Sequence, residues 1–337
     1  MNDIRKNARE RMKGVCRVCP VCDGRACAGE VPGMGGLNTA ASFKNNISAL
    51  RGVRLAMRCI HGVKEPDTAT TWLGIPLALP LVAAPLGGMF NFGGAVEDQE
   101  YVDAILQGCD SRGVIGCTGD GVPPVIFDSG LAGIEKVAGR GVPFVKPWDG
   151  DEMNEKTDRA LAGSAMVMGS DLDAAGLVTL RLMGRPVSPK TVPELRAWAD
   201  RIHAAGKKFV VKGVMSVKDA LAAVEAGIDG IVVSNHGGRV LDHTPGTAEV
   251  LPAIAGAVKG KIAIMVDSGV RDGFDILKML ALGADAVSIG RPFAIAAIGG
   301  GAAGVAAYVD QCKAELVQAM VLTGCPDIAS VSAAVLA

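Results

Sequence analysis

The 337-residue sequence predicts an α/β fold, a closed (β/α)8 barrel of the TIM type with an N-terminal Cys-rich extension. Three observations predict it. Eight short apolar runs of β character, each ending at a Gly, Pro, Asp or Asn turn, follow one another between residues 77 and 292. Amphipathic helical segments separate them, the alternation that builds a parallel sheet. The length suits one large α/β barrel or two modest domains, and with 49 % hydrophobic residues the core can be sizeable. An open doubly wound sheet is the competing arrangement; eight units in succession favour closure.

In chain order the runs are LALPLVAAP (77–85), GVIGCTGD (113–120), VPFVKPW (142–148) and SAMVMGSD (164–171), then KFVVKG (208–213), GIVVSNH (230–236), KIAIMVDSG (261–269) and ADAVSIGRP (284–292). Each is too short for a helix. Helical patterns occupy 191–206, 216–227, 247–260 and 271–283, several with a Ser or Thr cap in front and Gly behind. Residues 1–76 stand outside this rhythm and read as an extension packed on a barrel of residues 77–337.

Composition excludes several functions. With 34 basic and 35 acidic residues the net charge is -1, which argues against a nucleic-acid partner or a polybasic membrane surface. The uncharged stretch 72–90 is broken by Pro76, Pro80 and Pro85, and 293–309 is short and Gly/Ala-rich, so neither reads as a membrane span. The polar N-terminus lacks the apolar core of a signal peptide, and the expected location is cytoplasmic. Nine cysteines in a reducing compartment are then thiols or metal ligands rather than a disulfide framework.

In such a barrel the reactive groups collect where strands end. His236 follows Ser234 and Asn235 at one of these ends, and an imidazole suits general-base work near neutral pH. Arg239, three residues on, offers a bidentate fork to a carboxylate. A core His beside a surface Arg is the bland alternative, which the strand-end position disfavours. Lys212 ends an apolar run, where desolvation calls for an anionic or electron-rich ligand unless its stem reaches solvent. Gly269 and Gly290, each closely followed by Arg271 or Arg291, form the phosphate cradle that barrels often carry after their last two strands.

Four segments, VSNHGGRVLD (233–242), FVVKGV (209–214), DSGVRDGFDILKMLALGADAVSIGRP (267–292) and LVAAPLGGM (81–89), resemble the FMN-dependent 2-hydroxy-acid dehydrogenases and oxidases. The resemblance spans roughly residues 40–335 and is strongest from 207 to 292. It implies FMN as cofactor, a small lactate- or glycolate-like 2-hydroxy acid as substrate and a homo-oligomeric assembly. By the same resemblance His236 is the base, Arg239 binds the substrate carboxylate and Lys212 stabilises negative charge on the reduced flavin. Ala84, Pro85, Leu86 and Gly87 line the flavin, Thr118 and Lys146 contact it, and Asp171 orients the histidine. Asp267, Ser268, Gly269, Arg271, Gly290 and Arg291 hold ribityl and phosphate, with Ser234 and His236 among the cofactor contacts.

The departures fall on the substrate side. The family places two tyrosines around the substrate, whereas the only tyrosines here, Tyr101 and Tyr308, sit in helical segments. Trp148 takes the place of one tyrosine and is the expected substrate contact. Lys146 replaces a Gln, Asp120 stands where an aromatic is common, and Val178 and Val240 replace polar residues.

Cys16, Cys19, Cys22 and Cys27 lie within twelve residues in the spacing C-x2-C-x2-C-x4-C. Such thiolates can wrap an iron–sulfur cluster or a tetrahedral zinc ion, or stay uncoordinated. A redox centre there would favour a dehydrogenase, its electron acceptor unknown, over an oxidase. Two other functions stand as alternatives: an FMN-dependent isomerase or reductase of another substrate, resembling type 2 isopentenyl-diphosphate isomerase, and a non-catalytic flavin- or metal-binding protein.

Overall fold

The computed structural model describes residues 1–337. Eight parallel strands form its centre: β3 (Leu81–Leu86), β4 (Ile115–Thr118), β5 (Gly141–Pro143), β6 (Val167–Asp171), β7 (Lys208–Val214), β8 (Gly230–Val233), β9 (Ala263–Val266) and β10 (Ala286–Ile289). They are ordered β5-β4-β3-β10-β9-β8-β7-β6, with first and last strands of the barrel, β3 and β10, in register at Val82 and Ser288. The remaining seam, between β5 and β6, closes through a parallel bridge from Phe144 to Gly169, where the Val145 amide donates to the Gly169 carbonyl at 2.9 Å. All eight apolar runs therefore become strands of one (β/α)8 barrel.

Strand alternation sorts the side chains. Val82, Ile115, Cys117, Val142, Val210, Val232 and Met265 pack inside the barrel. Their alternate neighbours face outward against α3 (Asp98–Asp110), α4 (Pro124–Lys136), α5 (Asp151–Ala162), α7 (Val192–Ala204), α8 (Val217–Glu225), α9 (Thr247–Val258) and α10 (Gly273–Ala281). Caps set several of these helices in place: Thr191 and Glu194 form a reciprocal capping box on α7, and Ser216 and Asp272 cap α8 and α10.

The run at 77–85 is divided. Pro76 and Pro80 interrupt it, so Leu77 ends a small antiparallel hairpin, β1 (Thr70–Trp72) with β2 (Ile75–Leu77), and the barrel strand begins only at Leu81. Trp72, Ile75 and Leu77 of this hairpin plug the floor of the barrel, leaving the other end for chemistry. The extension also contributes α1 (Asn2–Arg11) and α2 (Ala41–Gly52), and Ala8, Met12, Val18, Met34 and Leu50 join the same apolar core as the barrel.

The last helix, α11 (Arg291–Thr323), is long and apolar enough to cross a membrane by length and composition, but 67 % of its most apolar window is buried in the fold. It bends at Gly301, whose φ of 58° is left-handed, and packs on α1, α3 and α10. Its Gly face admits α1 closely: a Cβ on Gly299 would collide with the Ile4 carbonyl.

Candidate active site

The principal cavity opens at the C-terminal ends of the strands. Its floor and walls come from Ala84 to Gly87 at the end of β3, Lys146 after β5, Asp171 on β6, Lys212 on β7 and the loops after β8, β9 and β10.

His236 stands at the mouth of β8 with φ 57°, an uncommon conformation for a residue with a side chain. The surrounding loop over-determines it. Ser234 Oγ accepts the His236 amide at 3.0 Å, and Asn235 Oδ1 accepts the Gly238 amide at 3.2 Å. Asn235 exchanges amide hydrogen bonds with Asn46 of α2 at 2.8 and 3.1 Å. Ser268, also left-handed at φ 68°, accepts the Gly237 amide at 3.0 Å.

Asp173 Oδ1 lies 3.0 Å from His236 Nδ1. Lys212 Nζ lies 3.2 Å from the same nitrogen and 3.4 Å from Asp173 Oδ2. The carboxylate stays ionised: burial pushes it up, but the charges of His236 and Lys212 hold it well below the ordinary range. Burial pulls Lys212 down, yet Asp173, Asp267 and Asp171 together raise it above its usual value, so it is a protonated cation. Burial also lowers His236, Asp173 partly opposes this, and Lys212 adds to it; the imidazole is neutral near pH 7. With Nδ1–H donating to Asp173, the Nε2 lone pair is free to take a proton.

This geometry corrects the expectation for Asp171. Asp171 does line the cavity, but its carboxylate pairs with Lys146 Nζ at 2.7 Å, both side chains being buried. Asp173 reaches the histidine because the chain leaves β6 in a short 3-10 turn, Leu172–Gly176, and because β7 bulges at Gly213. Gly213 has φ 104°, and a Cβ there would strike the Asp173 side chain at 2.5 Å. Only that glycine leaves room for the carboxylate.

Three of the expected residues do not line the cavity. Trp148, the expected substrate contact, is 2 % exposed and donates through Nε1 to Asp120 Oδ2 at 2.6 Å. Asp120 faces the cavity and also accepts from the Lys146 amide at 3.0 Å, the Gly121 amide at 2.7 Å and Lys156 Nζ at 2.7 Å. Thr118, expected at the flavin, points outward by strand alternation: its Oγ1 faces Gly130 of α4 and has no hydrogen-bond partner. Gly119 takes its place in the wall. Ser234 is fully buried behind the cavity, where it serves the loop rather than the lining.

At the opposite end Asp267, Ser268, Gly269, Arg271, Gly290 and Arg291 line one wall, as their strand-end positions predict. Ser288, which sequence reasoning missed, also faces the cavity and its buried Oγ has no partner. Its position on the inward side of β10 was the available signal. Arg271 Nε is likewise buried and unpartnered.

Arg239 lines the cavity and donates through Nη1 to the Gly33 carbonyl. Burial lowers it to about 9, with Arg291 adding repulsion, so it remains protonated at neutral pH. Neither tyrosine lines the cavity; Tyr308 on α11 donates to the Arg271 carbonyl at 2.8 Å, and Tyr101 is buried in α3. Phe90, Phe92, Leu177, Leu180 and Met183 give the remaining wall an apolar surface.

The arrangement offers a poised base, a buried ammonium, three arginines and two unsatisfied polar atoms around one cavity. Comparison with known proteins agrees in kind. The model of the family described as FMN-dependent dehydrogenase matches residues 33–118 and 156–337. The chain is 32 % identical to the L-lactate oxidase of Lactobacillus jensenii over 316 residues, 86 % of this chain and 76 % of that protein. It is 31 % identical to the L-lactate dehydrogenase of Xanthomonas campestris pv. campestris, over 88 % of this chain and 89 % of the relative. Among solved structures, a mandelate oxidase with 2-hydroxy-phenylacetamide superposes with a TM-score of 0.78 at 28 % identity, covering 98 % of this chain and 96 % of that one.

Proposed function

The chain belongs to the FMN-dependent dehydrogenase family, and from that premise we propose that it oxidises a small 2-hydroxy acid to the 2-oxo acid, His236 acting as base. The observation that carries the reading is the Asp173–His236–Lys212 group, a half-buried neutral imidazole fixed at Nδ1 beside a buried cation inside the strand-end cavity. The relatives named lactate oxidase, lactate dehydrogenase and mandelate oxidase support oxidation over an isomerase, a reductase of another substrate or a non-catalytic role.

The residues present fit FMN. Lys212 would lie along the flavin and offset negative charge on its ring, as its burial among carboxylates allows. Arg271, with its unpartnered Nε, and Arg291 would hold the phosphate beside the backbone of Gly269 and Gly290, and the unpartnered Ser288 Oγ is available to a polar edge of the cofactor. When bound there, FMN supplies the two-electron acceptor for the substrate's α-carbon.

The chain's own residues do the rest. Arg239 would present its guanidinium to the substrate carboxylate, oriented by the Gly33 carbonyl. His236 Nε2 would take the proton, and Asp173 would stabilise the imidazolium that results, as a carboxylate does when it orients a catalytic histidine. Asp120 and the Lys146–Asp171 pair keep the β4 and β6 ends rigid around the cavity. Cys16, Cys19, Cys22 and Cys27 enter the reading as ligands of a metal centre, supported by their spacing. The chromophore released from the purified chain should be FMN, and a 2-hydroxy acid incubated with the chain and a dye acceptor should yield the 2-oxo acid. A chromophore other than FMN, or an unchanged acid, would overturn the proposal.

A further inference from the structure

Residues 13–40 hold no helix or regular strand, yet this segment packs against the phosphate end of the active-site cavity. Stretches this long without secondary structure are uncommon in a compact domain unless they carry function. The match to the family model begins at residue 33, beyond the last of the four thiols.

The segment's carbonyls hold all three arginines of the cavity. Arg239 donates to Gly33, Arg291 donates to Met34 at 2.7 Å and Gly35 at 3.0 Å, and Arg271 donates to Cys22 at 3.2 Å. Arg271 also lies 3.6 Å from Cys22 Sγ. Phe43 sits beneath Arg291 with its ring centre 3.9 Å away.

Arginines brace the backbone of the segment on the other side as well. Arg9 of α1 donates to the carbonyls of Arg17 and Val18 at 3.2 and 2.9 Å, and Arg5 donates to that of Cys19 at 2.5 Å. The Val18 amide donates to Cys16 Sγ at 3.4 Å from a left-handed turn of φ 46°. All four thiols are unpaired and half-buried. Arginines bound to the backbone of this segment, with Arg271 against the Cys22 sulfur, suit a centre bearing net negative charge, as a tetrathiolate metal site does.

The C-x2-C-x2-C run is a spacing used by iron–sulfur sites, and the sulfurs are not gathered tightly around one point.

Resting on the FMN reading for the identity of the cavity, we propose that Cys16, Cys19, Cys22 and Cys27 ligate an iron–sulfur cluster, and that its assembly fixes the backbone carrying Cys22, Gly33, Met34 and Gly35 onto Arg271, Arg239 and Arg291. The cluster is thereby a structural part of the anion-binding end of the active site, with Cys22 one guanidinium removed from the cavity.

The test uses the full chain purified without oxygen. Iron and acid-labile sulfide should each be found at about four per chain, in the wild type and in Cys59→Ser, whose thiol is exposed outside the segment. Cys19→Ser, whose sulfur touches none of the three arginines, should lose both and raise the FMN dissociation constant at least tenfold, with the far-UV circular dichroism unchanged. Stoichiometric zinc, or no metal in the wild type, overturns the cluster. Iron lost from Cys19→Ser with unaltered FMN affinity overturns the coupling to the arginines. A chain that contains iron and sulfide but no flavin would overturn the FMN reading and leave the cluster in place, so the two failures are distinguishable.

Discussion

Asp173, two residues past the end of its strand, lies 3.0 Å from His236 Nδ1, while Asp171, the last residue of that strand, turns away to Lys146. The two carboxylates are neighbours in sequence and differ in task. Asp173→Asn should lower kcat by roughly 10- to 1,000-fold, within the range general-base catalysis supplies, and shift the acid limb of the pH profile to lower pH. The shift follows because Asp173 is the main group raising His236. Asp171→Asn should shift that limb less, since Asp171 is the weakest of the charges acting on the imidazole. Equal shifts in both variants would contradict the assignment.

The pH profile of the unaltered chain follows from the same cluster. Burial and Lys212 hold His236 below its ordinary value of 6.5. A base works in its neutral form, so kcat/KM should be flat through neutrality and fall only as pH drops below about 6.5. Initial-rate measurements across the range check this; a limb above pH 7 would contradict it.

His236→Ala should reduce the rate of flavin reduction by roughly 10²- to 10⁴-fold and leave the flavin bound. The loop around position 236 is held by Ser234, Asn235 and Ser268 rather than by the imidazole, so the backbone has reason to persist. Rapid-mixing absorbance in the absence of oxygen measures the rate, and flavin content after gel filtration measures retention.

Arg239→Lys should raise KM for a carboxylate substrate by roughly 10- to 100-fold, the worth of a charge-assisted hydrogen bond. Lysine keeps the charge but loses the planar fork and the bond to Gly33. An unchanged KM would assign the carboxylate to another residue.

Asp120→Ala should destabilise the fold by about 1–3 kcal/mol, the cost of leaving buried donors without their acceptor, while the Lys156 ammonium keeps Glu152 Oε1 at 3.0 Å after losing Asp120. Trp148 Nε1 and the Lys146 amide lose their acceptor in the same step. Denaturant unfolding, read as a lower midpoint at unchanged slope, is the appropriate measurement.

Much of this was legible in the amino acids. The eight runs become the eight strands because parallel barrel strands are buried on both faces and read as continuous apolar segments. His236, Arg239, Lys212, Arg271 and Arg291 are visible because each is a polar residue closing such a run, and all five line the cavity. What failed to show depended on direction rather than position. Thr118 ends its strand but alternates outward, and Ser288 sits within its strand but alternates inward. Asp173 needed the 3-10 turn and the bulge at Gly213, neither of which periodicity reveals. Trp148 was drawn away by a hydrogen bond to Asp120, a pairing between two different loops. The tethering of three arginines by residues 22–35 joins parts of the chain more than 200 positions apart, beyond any local pattern.

The central claim, a 2-hydroxy acid oxidised by a flavin in the cavity of His236, is tested most directly by an anaerobic titration of the purified chain with L-lactate, glycolate and mandelate, followed at the visible flavin bands. At least one of these acids should bleach the bands fully in the wild type and, in the same time, leave those of His236→Ala unreduced. Bands that persist with every acid while a chemical reductant removes them, or equal bleaching in the two proteins, would contradict it.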